Sequence, residues 1–273
     1  MLAWDPMMSA ALLRRMPLFT VTVTVTVTAL AWAAAPGPVS LAHAAGSPPI
    51  ARSPASADST LAGLDAHLRA HPDDPAAAKA LRQRARRAGQ LDSAIVLLKD
   101  LLQSHPEAQA LRMQLGLAHV DRVAAAPILD LPARAVVASQ ANRLFSEVIA
   151  VEPEQWAPRY ARAMTHLLFP MATRHYKAAT EDLLKLVELQ RTLPPAPHFA
   201  QTYLALGDSY IMDKQFEAGR SWWLTGKKLF PEDPELVARL AIDFAELRPT
   251  IEARYGFDLP FDTDRDCFDL TPH

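Results

Sequence analysis

The residues with chemical potential in this 273-residue chain stand apart from one another. His119, His166 and His175 would form a loose histidine group only if the fold stacked them favourably. His166 and His175 are nine residues apart, a separation that matches no characteristic metal-ligand pattern. Asp262, Asp264 and Asp266 alternate like the first ligands of a calcium loop. Cys267 stands where such a loop needs its sharp-turn glycine, and His273 where it needs its glutamate. A solvated acidic tail is therefore the plainer reading. No nucleophile–base–acid set is apparent. With one cysteine, Cys267, an intramolecular disulfide is impossible. Apolar packing must hold the core, and the thiol either pairs between chains or stays a thiol. The expectation is a chain that is not an enzyme and uses no cofactor, metal or small-molecule substrate.

The amino terminus carries an address rather than structure. Arg14-Arg15 precede an uncharged, mostly apolar run over 16–36, and Ala42-His43-Ala44 fits a small-x-small cleavage site. Residues 1–44 are expected to be a secretory signal peptide, with Ala45 first in the mature chain. The alternative is an anchor over 16–42, since about 20 apolar residues span a bilayer. Either way the folded part would face the periplasm or another exported space. Residues 45–59, rich in Pro, Ser and Ala, read as a flexible leader. The net charge of −2 gives no basic footprint for nucleic acid.

The elements that must position these side chains are helical. Leu61, Leu64 and Leu68 share a face ahead of His71-Pro72, and His71-Pro72 recurs at His105-Pro106, 34 residues on. Between the two lies a helix over 75–88 with Ala78, Leu81 and Ala85 as its stripe. A turn at Gly89-Gln90 and a second helix over 91–104 follow. His71 and His105 would meet the carbonyl ends of their helices. A 34-residue period points to stacked helical hairpins.

Residues 200–234 make the pattern specific. Tyr203, Leu206-Gly207 and Tyr210 mark a first helix. Phe216 opens the second, Trp223 holds its aromatic position, and Pro231 closes the unit. Gly219 and Gly226 stand at two small-residue positions. The chain resembles the tetratricopeptide-repeat family over roughly 60–249. The resemblance implies an all-α, right-handed superhelix of antiparallel hairpins with insertions. Leu115-Gly116 begins a repeat whose second helix, over 133–151, carries Ala141 and Phe145. The extra residues near 124–131 should lengthen the link between its helices. Helices over 156–168 and 175–190 form another pair, broken at Phe169-Pro170, and 192–198 lead to the best-matching repeat. A final helix is expected over 234–247. The acidic, aromatic tail, 250–273, would lie against the last helices through Phe257, Phe261 and Phe268.

In this family the first helices line the concave face. The resemblance places Lys79, Gln83, Arg86 and Arg87 there, suited to an acidic peptide or a terminal carboxylate. The next repeat offers Met113, Leu117 and Asp121, so the family's carboxylate clamp is incomplete. Farther along the same positions are mostly apolar: Val120, Tyr160, Met164, Leu167, Leu204, Ile211 and Met212, with Gln201 and Asp208 among them. Either they form a groove for an amphipathic helix or extended apolar segment, or they are buried as a second core. Trp223 belongs to the core, whereas Trp222 is interfacial or rests against the tail. The resemblance implies a noncatalytic scaffold or assembly factor holding a protein or peptide partner. The alternative is an accessory subunit that docks by its outer face onto an envelope complex.

Overall fold

Proline sets where the helices of this chain stop and start. The computed structural model describes residues 60–125, 131–167, 175–256 and 262–268, with the side chains of residues 131, 256 and 266 left aside. The expected signal peptide and leader, the Phe169-Pro170 break, and Phe257 and Phe261 lie outside the described residues. Thr60 caps α1 (Leu61–Ala70), its hydroxyl accepting from Gly63 N–H at 3.1 Å. His71 ends α1 at φ −136°, ψ 70°, and His105 ends α3 (Leu91–Ser104) at φ −133°, ψ 68°. The proline after each disfavours the helical conformation. Each histidine N–H still bonds back into its helix, to His67 O at 2.8 Å and Leu101 O at 2.9 Å. Each histidine carbonyl then accepts from the N–H three residues on, Asp74 at 3.2 Å and Ala108 at 3.1 Å.

The same stop follows α9 (Phe216–Leu229) at Phe230-Pro231, with bonds of 2.7 Å to Gly226 O and 3.2 Å from Asp233 N–H. The repeated element is thus a helix stop and turn made by the backbone and proline, and phenylalanine serves it as well as histidine. Aspartate restarts the next helix. Asp74 Oδ1 accepts from Ala76 and Ala77 N–H at 3.0 Å to cap α2 (Pro75–Arg87), and Asp233 Oδ1 accepts from Leu236 N–H at 2.9 Å to cap α10 (Pro234–Leu240).

The turns inside the hairpins also match one another. Gly89, between α2 and α3, has φ +68°, and Gln90 N–H reaches back to Ala85 O at 2.8 Å. Between α8 (Ala200–Met212) and α9, Lys214 takes φ +63°, and Gln215 N–H reaches Tyr210 O at 2.9 Å. One geometry is thus met by a residue that suits it and by one that does not.

Four hairpins follow α1: α2 with α3, α4 (Gln109–Ala125) with α5 (Leu131–Val151), α6 (Trp156–Leu167) with α7 (Tyr176–Gln190), and α8 with α9. The first helices α2, α4, α6 and α8 adjoin in succession. The α4–α5 hairpin differs from expectation. Both its helices are longer, 17 residues against the 13 of α2 and 21 against the 14 of α3, while 126–130, where the longer link was expected, lie outside the described residues. Alanine and leucine at those positions continue a helix at little cost.

The carboxyl-terminal reading also needs correction. A single helix over 234–247 is not formed. α10 ends at Leu240, a short 3-10 turn covers Phe244–Glu246, and α11 (Leu247–Gly256) begins afresh. Pro249 lies in the first turn of α11, where its missing N–H has no intrahelical acceptor to lose.

Leu68, Leu81, Leu98, Leu111 and Leu115 belong to a core under the first hairpins. A larger core runs from Met113 and Phe145 through Trp156, Leu186 and Trp223 to Phe268. Trp223 is fully buried and donates from Nε1 to Leu204 O at 3.1 Å, while Trp222 is half-buried against Tyr203. The α8–α9 contact depends on two facing glycines. A Cβ on Gly207 would lie 2.8 Å from Gly219 O, and one on Gly219 would lie 2.8 Å from Gly207 O. Gly207→Ala should therefore destabilise the fold by about 1–3 kcal/mol through overpacking. Lys214→Gly should stabilise it by about 1 kcal/mol by relieving the left-handed conformation. Urea unfolding of both variants beside the parent measures these opposite shifts.

Candidate functional site

The centre of the first-helix face is a guanidinium. Arg82 sits in the middle of α2 on the side turned toward α4 and is fully buried. Its Nε donates to Gln114 Oε1 at 2.8 Å, and its Nη1 to Asp121 Oδ2 at 2.5 Å, both acceptors on α4. Three further bonds leave the repeats. Nη1 donates to Thr263 Oγ1 at 3.0 Å, and Nη2 to Thr263 O at 2.7 Å and Asp264 Oδ1 at 3.0 Å. All five N–H groups of the guanidinium are thus engaged.

Arg86, one turn along α2, joins the same cluster. It donates to Thr263 Oγ1 at 3.0 Å, to Asp121 Oδ1 at 3.4 Å and to Asp264 Oδ2. The Thr263 hydroxyl in turn donates to Asp121 Oδ1 at 2.6 Å. Asp264 N–H bonds to Asp262 Oδ1 at 2.9 Å, which fixes the turn presenting Asp264. Asp262 therefore serves a turn and Asp264 an arginine pair. Among the described residues no group of three or more His, Cys, Asp or Glu is gathered to hold a metal.

An aromatic anchor lies next along the face. Trp156 and Tyr160, on α6, stack with centroids 4.3 Å apart. Phe268 packs on both, at 6.5 and 6.1 Å, and is 1% exposed. Burial drives the Tyr160 hydroxyl far above the usual phenol range. At α8 a third tie forms. Asp208, fully buried, accepts from Arg239 Nε at 2.9 Å, Arg239 Nη2 at 3.1 Å and Tyr255 Oη at 2.9 Å. Burial opposes the Arg239 charge, yet the charge and hydrogen bonds of Asp208 outweigh it and raise that pKa.

The carboxyl-terminal segment thus crosses the first helices, held at α8 by Tyr255, at α6 by Phe268, and at α2 and α4 by Thr263 and Asp264. Of its described residues, α11 lies against the last helices as expected, whereas Thr263, Asp264 and Phe268 lie against α2, α4 and α6. Of the residues expected on the concave face, Arg87 is exposed and Gln83 and Arg86 are half-buried, while Lys79 is buried. Arg86, Tyr160 and Asp208 touch or tie the segment. Met113, Leu117, Met164, Leu204, Ile211 and Met212 are buried in the larger core, the second of the two readings open for them. Arg82 and Thr263 were not singled out by spacing. The available signal was Asp121, an acid at a packing register opposite a basic stretch of α2.

Two of the three histidines meet. His166 and His175 stack at 5.7 Å, and burial lowers His166 to about 4. Its Nδ1 lies 3.3 Å from Asn142 Nδ2, placing it as an acceptor. His119 is buried in α4. Desolvation, then Lys99, Arg122 and Arg143, lower it to about 4 as well. Beside His166 is an open cleft of about 320 Å³, also lined by Asn142, Ser146, Arg162 and Asp182. Arg162 is committed there, donating to Asp182 at 2.8 and 2.6 Å and to Ser146 at 2.8 Å.

No family model and no curated protein matches the sequence. Among solved structures, the crystal structure of a thermophilic tetratricopeptide-repeat protein from Thermus thermophilus is similar. The likeness has a TM-score of 0.50 and 21% identity over 66% of this chain and 87% of that one. The hairpins and this likeness together give the chain a tetratricopeptide-like helical repeat fold.

Two outcomes test this geometry. Arg82→Ala strands Asp121 and Asp264 without their main cation and should cost about 3–5 kcal/mol in urea unfolding. The buried histidines give a pH dependence of defined sign. Their folded pKa values lie below the ordinary value of about 6.5, so the unfolded chain binds protons that the fold refuses. Stability should be full above pH 6.5 and fall as pH drops toward 4. His119→Leu should flatten that slope in unfolding curves taken across the window.

Proposed function

We propose that the chain is a noncatalytic protein-binding scaffold working outside the cytoplasm, with the face made by α2, α4, α6 and α8 as its recognition surface. The observation that carries this reading is that the face already grips a peptide segment, the chain's own residues 262–268. It does so through an arginine pair at one end and an aromatic anchor at the other. Such a surface has the polarity and reach of a peptide receptor. The fold supports the same reading, since stacked hairpins offer extended surfaces for partners. Export is supported by Arg14-Arg15, the uncharged 16–36 run and Ala42-His43-Ala44. No helix among the described residues is long and apolar enough to cross a membrane.

A second reading has its own observation. Leu224 and Leu229 on α9, Val237 on α10 and Phe244 beyond it are 57%, 54%, 45% and 59% exposed. These apolar side chains favour an accessory subunit that docks onto an envelope complex by its carboxyl-terminal hairpin.

Copurification from the envelope fraction separates the two. Gln83→Glu with Arg87→Glu, both on the accessible rim of α2, should cut recovery of a specific partner at least fivefold if the first-helix face binds it. Undiminished recovery, with loss instead on Leu224→Asp and Phe244→Asp, would establish outer-face docking. Amino-terminal sequencing of the fractionated protein should give Ala45 in the exported fraction; an unprocessed chain in the cytosol would end the export reading.

A further inference from the structure

We infer that the first-helix face is a receptor for an acidic–aromatic segment of a partner protein, and that residues 262–268 occupy it in that partner's place. The segment would carry a hydroxyl residue and a carboxylate followed, four positions on, by an aromatic ring. This rests on the scaffold reading and names the partner's chemistry.

The charge on the face sets the first requirement. Arg82 and Arg86 bring two cations, and α4 answers with one carboxylate, Asp121. Asp264 supplies the second, bonded to both guanidinium groups. A neutral or basic segment laid here would leave a buried cation short of its counter-charge. Hydrogen bonding sets the second requirement. Three of the five Arg82 bonds go to Thr263 and Asp264, so an occupant must present a hydroxyl, a carbonyl and a carboxylate in that geometry. The third requirement is apolar, a ring able to pack on Trp156 and Tyr160 as Phe268 does.

The segment is built so that it can be replaced. Its shape comes from its own turns, with Arg265 N–H bonded to Asp262 O at 3.4 Å and Phe268 N–H to Arg265 O at 3.1 Å. A partner of similar sequence can adopt the same turns. α11 is secured independently by Tyr255 on Asp208, by Arg254 on Glu235 at 2.7 Å, and by the buried Ile251. Release of 262–268 therefore leaves α11 and the repeats with their own ties. Tethering gives the resident segment a high effective concentration, so a free competitor should bind weakly until the resident is loosened.

The test uses the full chain carrying Asp264→Lys and Phe268→Ala, and an amino-terminally labelled synthetic peptide of residues 257–273 with the natural sequence. In fluorescence anisotropy the peptide should bind this variant at least tenfold more tightly than it binds the parent. The same peptide carrying Asp264→Lys should lose that gain. Where the double variant does not fold, Phe268→Ala alone is put through the same comparison. Equal weak binding of both peptides by a variant with parental circular dichroism would overturn the inference. Unfolding of both variants would overturn it too, because an occupant that can leave cannot be required for the fold. Either failure, with a partner still lost on Gln83→Glu and Arg87→Glu, leaves the scaffold reading standing. Undiminished partner recovery with those two variants removes that reading whatever the peptide does.

Discussion

A fully desolvated guanidinium is the constraint around which this molecule is arranged. Arg82 lies on a helix that also buries Ala78, Leu81 and Ala85 completely. An unpaired charge at such a place costs several kcal/mol. The cost is offset only if every donor finds an acceptor, and the repeats alone supply two, Gln114 and Asp121. The remaining donors need groups from beyond the hairpins. Thr263 and Asp264, some 180 residues away in sequence, provide them. The path of the carboxyl-terminal segment across α2 and α4 is therefore set by the donors that Gln114 and Asp121 leave over.

From that cluster the character of the face changes in steps. A charged seam at α2 and α4 gives way to stacked aromatic rings at α6 and then to the Asp208–Arg239–Tyr255 tie at α8. Each step holds a different part of one chain segment by a different force. Charge-assisted hydrogen bonds fix position and polarity, and the Phe268 ring supplies apolar burial. The last tie closes the end of the solenoid, where α8 and α9 would otherwise lack a following hairpin. A surface divided in this way holds the chain's own segment by particular side chains and not by bulk hydrophobicity.

Local rules were legible wherever the backbone made them. The His-Pro echo marked true helix stops, and the Phe230-Pro231 stop shows that proline, not imidazole, was the operative residue. Gly89 marked its turn because only a left-handed residue completes it. Its counterpart Lys214 carried no such signal, since lysine does not advertise that conformation. Trp223 was legible as core because its position in the repeat dictates burial. Pro249 did not announce α11, because a residue tolerated in a first turn is also one that ends helices. The insertion near α4 and α5 was legible as extra length but not as extra helix, because alanine and leucine extend helices as readily as they fill a connection.

By itself, then, the sequence determined the helices of the four hairpins, their pairing and the order of their stacking. These follow from periodicity and punctuation over fewer than about 40 residues, within reach of local propensity and nearest-neighbour burial. Only the tertiary structure decided what the first helices face. Whether Arg86 meets solvent or Asp264, and whether Met164 lines a groove or a core, depends on contacts between segments with no fixed spacing. A basic residue on a helix reads the same in either case. The buried Arg82 became recognisable only once the acids around it had been brought together.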